Sequence, residues 1–368
     1  MPDDDLARRA MLDDDLVLRG RHVMTVCNAC RYCEQYCPVF PALEQRRQFE
    51  AVDLTYLANL CHNCGECLYA CQFAPPHEFG INVPMVLSEV RARSYEAYAW
   101  PPTLGRAFAS HAFRTSLVAL GLIVSMLLLV SMARPEAVWS SDGSADFYGV
   151  IPHAAMVGLF GTVSLFVLIS LGISGWRFWR DVRQSAGAAS GSLRDAVRDA
   201  LTLRHLHGAG RDCTSNLEMR LPWRRWFHHC TFYGFLLCMA STTVAAIYHS
   251  VFGWHAPYSY SSVPVLLGAA GGFGLVIGPL GLAALGQTRD PSLGHEESGG
   301  LDTVFLGLLF LTSLTGLALL VLRHSTLMGI LLVVHLAVVL VLLLTLPYGK
   351  FVHGLYRVLA LIRYHGER

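Results

Sequence analysis

Between residues 27 and 71 the chain places eight of its eleven cysteines in two equal runs: Cys27, Cys30, Cys33 and Cys37, then Cys61, Cys64, Cys67 and Cys71. Each run reads C-x2-C-x2-C-x3-C, the spacing that holds a [4Fe–4S] cluster through thiolates. In two-cluster ferredoxins three cysteines of a run bind one cluster and the fourth reaches across to the other. On that rule Cys27, Cys30, Cys33 and Cys71 hold one cluster, while Cys61, Cys64, Cys67 and Cys37 hold the second. The fold must therefore bring the two runs side by side. Pro38 follows the first run as in bacterial ferredoxins, whereas Gln72 follows the second and prolines come only at 75 and 76. Structural zinc, which favours C-x2-C pairs with four ligands per ion, fits two runs of four poorly. A disulfide framework needs an oxidising compartment, and the mixed acidic and basic stretch from Met1 to Gly20 has no apolar core for a signal peptide.

Composition divides the rest. Apolar residues make up 53 % of the chain and charged residues 15 %, well away from ordinary soluble proteins. Residues 1–106 are polar and carry the cysteines; residues 107–368 are dominated by apolar runs near 108–132, 148–172, 228–252, 262–286, 302–322 and 326–346. Each approaches or exceeds the roughly 20 residues that cross a bilayer as a helix. The 173–226 connection holds ten arginines, and the tail adds Lys350, Arg357, Arg363 and Arg368; connections 133–147, 253–261 and 323–325 hold only Arg134 and Arg323. Positive loops stay in the cytoplasm, so both termini and the cysteines are expected there. The net charge of +1 and the lack of a basic patch point to no nucleic-acid partner.

The spacer between the runs lacks the β-branched strands of small ferredoxins. It reads as two short helices, Ala42 to Phe49 and Val52 to Leu60, the second placing Leu54, Leu57 and Ala58 on one side. Another helix is expected over Val83–Ser94, followed by a linker at Trp100-Pro101-Pro102. The expected fold class is therefore all-α: a helical two-cluster ferredoxin-like domain followed by a six-helix transmembrane bundle. The SAGAASGS stretch at 185–192 reads as flexible. No G-x-G-x-x-G follows a strand, so the chain offers no flavin or nicotinamide site of its own.

Ionisable residues inside spans are functional-site candidates. His153, His249 and His335 lie toward the outer side at similar depth; His111, the pair His228 and His229, and His353 lie toward the inner side. Such tiers suit bis-histidine b-type haem, one or two of them, with an imidazole on each side of the iron. Two of His153, His249 and His335 are expected to hold the outer haem. His228 and His229 point about 100° apart, and His229 is taken as the inner ligand. His335 and His353 stand 18 residues apart, a whole number of turns, which puts them on one face. The alternative for each is a hydrogen bond across helices. His205, His207 and Cys213 read as a solvated loop, Cys230 and Cys238 as small apolar residues, and the glycines from 268 to 281 as packing material for helices or a flat macrocycle.

The runs HVMTVCNACRYCEQYCPVFPALE and YLANLCHNCGECLYACQFAPPHEFGINVP, with RRWFHHCTFYGFLLC, FLTSLTGLALL and LTLPYGKFVHGLYR, resemble the tricarballylate-utilisation protein B family (TcuB, also called CitB). The C-terminal half of the cobalamin-pathway protein CobZ is similar. The likeness runs from about residue 20 to the end. It implies a multi-pass protein of the bacterial inner membrane, with iron–sulfur clusters and b-haem, that reoxidises the flavin of a soluble FAD-dependent dehydrogenase, TcuA-like, and delivers the electrons to membrane quinone. The eight cysteines carry over directly; no family motif fixes which histidines are axial. Two other classes stay open: a redox component of corrin-ring synthesis, by the CobZ likeness, and a redox-sensing membrane protein or transporter.

Overall fold

A computed structural model describes residues 12–109, 112–139, 146–184, 192–206, 223–294 and 296–367. The aspartates at 3–5, His111, His207, Cys213 and most of the 185–192 patch lie outside the described residues. Among the described residues every regular element is helical.

The cysteine domain opens with α1 (Asp14–Cys30), whose start is fixed by the Asp13 carboxylate accepting from the Leu16 amide at 2.7 Å. Asp14 and Asp15 in its first turn favour that end of the helix dipole. The acidic residues 13–15 thus cap the helix that carries Cys27 and Cys30. Two short helices, α2 (Val39–Glu44) and α3 (Ala51–Leu60), separate the runs. The second is where the sequence predicts it. The first starts and ends earlier than expected, directly after Pro38, and leaves 45–50 outside any helix. α4 (Glu66–Tyr69) carries Cys67, and α5 (Val83–Tyr98) begins where the Asn82 side chain accepts from the Met85 amide at 3.0 Å. Gly65 before α4 has φ +89, and a Cβ there would meet Leu293 at 2.8 Å, so both conformation and space require glycine.

After α6 (Pro102–Ala109) the chain enters the apolar bundle: α7 (Ala112–Ala133), α8 (Pro135–Trp139), α9 (Phe147–Val150), α10 (His153–Gln184), α11 (Leu193–Thr202), α12 (Trp223–Phe252), α13 (Val263–Gln287), α14 (Glu296–Leu322) and α15 (Met328–Thr345). Six of these, all but α8, α9 and α11, contain a stretch long and apolar enough to cross a membrane. Their outward faces carry exposed Met132, Leu129, Leu168, Val251 and Val321, as lipid contact requires. The glycines of α13 pack helix on helix. A Cβ on Gly271 would meet the Gly234 carbonyl of α12 at 2.8 Å, and one on Gly274 would meet the Cys230 carbonyl at 2.8 Å. Cys238 packs against Gly271 in this seam.

The chain ends in α16 (Val352–Gly366), which turns back onto the cysteine domain. Its Tyr356, Ala360, Leu361 and Tyr364 share one buried core with Leu16, Leu54, Tyr56, Leu57 and Leu87 of the cysteine domain, and with Phe178 and Val182 from the end of α10. The break at 346–351 also removes the continuous helix on which the 18-residue argument for His335 and His353 relied.

Because the α12–α13 approach is backbone on backbone, Gly271→Val is expected to cost about 1–3 kcal/mol through overpacking. Thermal unfolding of the detergent-solubilised protein checks this; an unchanged midpoint would mean the helices separate freely.

Candidate cofactor-binding site

The two cysteine runs come together with their fourth members exchanged. One cavity is lined by Cys27, Cys30, Cys33 and Cys71, with Tyr32, Phe73 and Gln72 at its wall. A second is lined by Cys37, Cys61 and Cys64. Cys67 stands between and lines both. Electrostatics divides the thiols in the same way. Burial, then Cys71, Cys33 and Cys30, pushes the Cys27 thiol up to about 12. Burial, then Cys64 and Cys61, pushes Cys37 well up, and Cys67 rises with Cys64, Cys61 and Cys37 among the causes. Thiols so crowded lose their protons only to a strongly cationic partner, and metal ligation supplies one. Among the described residues no three His, Cys, Asp or Glu side chains converge to hold a single ion. Four thiols spread around a cavity are the donor set of a polynuclear iron–sulfur cluster. The Asn63 amide donates to Cys61 Sγ at 3.3 Å, the kind of bond that stabilises a ligating thiolate.

Arginines close the second set. The carbonyls of Leu60 and Cys61 accept from Arg357 at 2.7 and 3.3 Å, and that of Cys61 also from Arg91 at 2.8 Å. The His62 and Asn63 carbonyls each accept from Arg224 at 3.1 Å, and Asn63 also from Arg289 at 2.9 Å. His62, next to Cys61, is mostly buried; burial, then Arg357 and Arg224, holds its imidazole well below the usual range, with His205 and His228 also in reach.

Beyond His62 lies the end of the bundle nearest the cysteines. There His228 of α12 faces His353 of α16, ring centroids 6.0 Å apart and planes at 77°. Two imidazoles on opposite sides of one metal ion sit about 6 Å apart, given metal–nitrogen bonds of about 2 Å. His353 Nδ1 donates to the Lys350 carbonyl, which leaves Nε2 as the free lone pair. Burial, then His228 and Lys350, pushes His353 down to about 3, so it is neutral, as a ligand must be. His229, the expected inner ligand, instead stacks on Tyr233 at 5.6 Å. The 100° step between neighbours was read correctly; which neighbour faces the partner depends on α16.

The far tier is assembled differently. His153 and His249 do meet, but their rings stack at 3.7 Å and 22°, too close for an iron between them. His255 and Tyr148 complete the group, at 3.1 and 3.3 Å from His249 Nδ1. His335 is hydrogen-bonded to Thr315 Oγ1 at 3.1 Å and lies against Gly316. The expectation of an outer haem on two of these three is thus not met by the geometry. His205 is not solvated either: its Nε2 and that of His365 both bond Asp199 Oδ2 at 3.1 Å, tying α11 to α16. The sequence reading missed the four arginines, His62 and the choice of His228. A signal existed for one of them, since Arg357 follows His353 by one helical turn.

Comparison with known proteins adds to this geometry. A family model described as citrate utilization protein B matches residues 109–368, and one described as citrate utilization protein B Fer4-like domain matches residues 20–97. Citrate utilization protein B of Escherichia coli is 46 % identical over 347 residues, covering 94 % of this chain and 91 % of that protein. No solved structure gives a significant match.

The exchanged cysteines generate a direct test. Cys37→Ser is expected to lower bound iron as Cys61→Ser does, and the double variant no further, whereas Cys37→Ser with Cys27→Ser removes nearly all of it. Additive losses within the Cys37 and Cys61 pair would show that the runs do not cross.

Proposed function

Because the chain belongs to the citrate utilization protein B family, we propose that it takes electrons from the reduced flavin of a soluble dehydrogenase, of the tricarballylate dehydrogenase type, and delivers them to membrane quinone. The observation that carries this reading is the succession of neighbouring sites: two thiol-lined cavities that share Cys67, His62 on the wall of the second, and the His228 and His353 pair within electrostatic reach of His62. Bound there, two [4Fe–4S] clusters and a b-type haem supply one-electron transfer between a two-electron donor and a two-electron acceptor. Cys27, Cys30, Cys33 and Cys71 hold the first cluster, on the side where Tyr32 and Phe79 are exposed. Cys37, Cys61, Cys64 and Cys67 hold the second. His228 and His353 would hold the haem, and the Lys350 carbonyl orients the His353 ring. His62 lines the second cavity and lies within electrostatic reach of His228. The arginine distribution supports a bacterial inner-membrane protein with both termini in the cytoplasm.

The purified full-length protein is expected to contain about eight iron atoms and eight acid-labile sulfides outside haem. Its low-spin haem spectrum should be lost in His228→Ala and in His353→Ala and kept in His229→Ala and His335→Ala. Reduction by a flavoprotein dehydrogenase and reoxidation by quinone should be seen in the same spectra. Two zinc ions without labile sulfide would end the cluster reading; an intact six-coordinate haem in His228→Ala would end the inner-pair assignment.

A further inference from the structure

Four arginines converge on residues 60–63 from four different parts of the chain: Arg91 on α5, Arg224 in the first turn of α12, Arg289 just after α13, and Arg357 on α16. Each donates to backbone carbonyls and none of the four makes an ion pair among the described residues. Asp302, the carboxylate that acts on Arg289, is engaged by Lys350 at 2.7 Å. Glu66 opposes the arginines at Cys64, while Arg224 acts on Cys64 and Arg357 on Cys37 in the stabilising direction. In return, Cys61 and Cys37 favour the charged form of Arg357, which burial and Arg91 push down to about 9.

The first thiol set meets fewer such donors: Arg31 donates to the Asn28 carbonyl at 3.1 Å but also pairs with Glu44, Arg21 donates to the more distant Phe49 carbonyl, and Arg19 and Arg46 are paired with Asp15 and Glu89 and with Asp53 and Glu367. The charges acting on Cys27 are those of Cys71, Cys33 and Cys30. Adding an electron makes a thiolate-ligated cluster more negative, and its reduction potential follows the net charge, hydrogen bonds and solvent exposure around it. Burial alone would make the second set the harder to reduce. Four unpaired cations and the Asn63 amide on Cys61 act against burial and in one direction.

We infer that Arg91, Arg224, Arg289 and Arg357 make the second cluster the electron sink of the pair, giving the wire its direction from the first set toward His228 and His353. This rests on the cluster reading above. No proton is required: the electron received by the second site is the one given up by the first, whose donor is the reduced flavin of the partner.

The test is a redox titration of the full-length purified protein followed by electron paramagnetic resonance, with Cys37→Ser used to assign the second cluster's signal. In the unaltered protein the second cluster is expected to reduce first. Arg289→Gln and Arg91→Gln should each shift that cluster to a lower potential and leave the other in place, and Arg289→Lys should restore most of the shift. Arg19→Gln, beside the first set, should move neither. Should Arg289→Gln fail to keep its iron, Arg91→Gln, which loses a donor to the Cys61 carbonyl, decides the matter. The inference is overturned if neither potential moves, if both move together, or if the cluster that responds is the one reduced last. Absence of labile sulfide from the unaltered protein would instead strike the cluster reading beneath it.

Discussion

Where a chain leaves a helix to wrap a cysteine site, the last carbonyls of the helix and those of the loop are left without backbone partners. In the second cysteine run this affects residues 60–63, where α3 ends and the loop begins. Buried carbonyls without donors are costly, and the end of α3 adds the negative pole of its dipole. Arg91, Arg224, Arg289 and Arg357 supply the missing donors. Three of the four come from the membrane part of the chain. The cysteine loop is therefore completed by the bundle, and the two parts cannot be docked at random. Arg357 lies one turn beyond His353 on α16, so a single helix face both holds the cysteine loop and presents the imidazole to His228.

The same economy appears at the outer edge of the cysteine domain. Arg46 bonds Asp53 at 2.8 Å and Glu367 at 2.6 Å; Arg363 bonds Glu367 at 2.7 Å and the Val182 carbonyl at 2.8 Å. Both guanidiniums lie over the ring of Tyr56, at 4.7 and 4.1 Å. Removing one partner of a buried ionic group typically costs ~3–5 kcal/mol because the other is left unpaired. Such a network adds little net attraction but penalises every misdocked arrangement. That suits a chain whose second thiol set and histidine pair must keep a fixed separation. The shared core of Leu54, Tyr56, Phe178 and Tyr356 supplies the attraction itself.

What the sequence disclosed follows the range of the interaction. Cysteine spacing is local, and so are the apolar runs; both are legible, and so is the all-helical class. The helix at Ala51–Leu60 was legible because Leu54, Leu57 and Ala58 recur at helical spacing, and all three are buried. The helix at Asp14–Cys30 was not read from the sequence, although Asp13 caps it and Asp14 and Asp15 stand in its first turn. The choice between His228 and His229 turns on a partner, His353, that lies 125 residues beyond His228 in sequence, and no local period reports it. His205 was misread for the same reason, since its bond is to an aspartate that α16 also claims.

Matched depth proved a weak guide to the histidines. Each one within the spans has a near neighbour that lowers the cost of placing it in hydrocarbon: His335 has Thr315, His229 has Tyr233, and His153, His249 and Tyr148 form a stacked group with His255. Satisfying the imidazole is thus enough to explain its presence. Ligation asks for more: two rings facing each other across a gap the width of a metal ion, with the outer nitrogen of at least one already held. His228 and His353 meet the spacing, and the Lys350 carbonyl holds His353. His249 lies 21 residues along α12 from His228, or about 30 Å at 1.5 Å per residue. The far group is consequently remote from the thiols, and the electron path argued from this geometry ends where the bundle meets the cysteine domain.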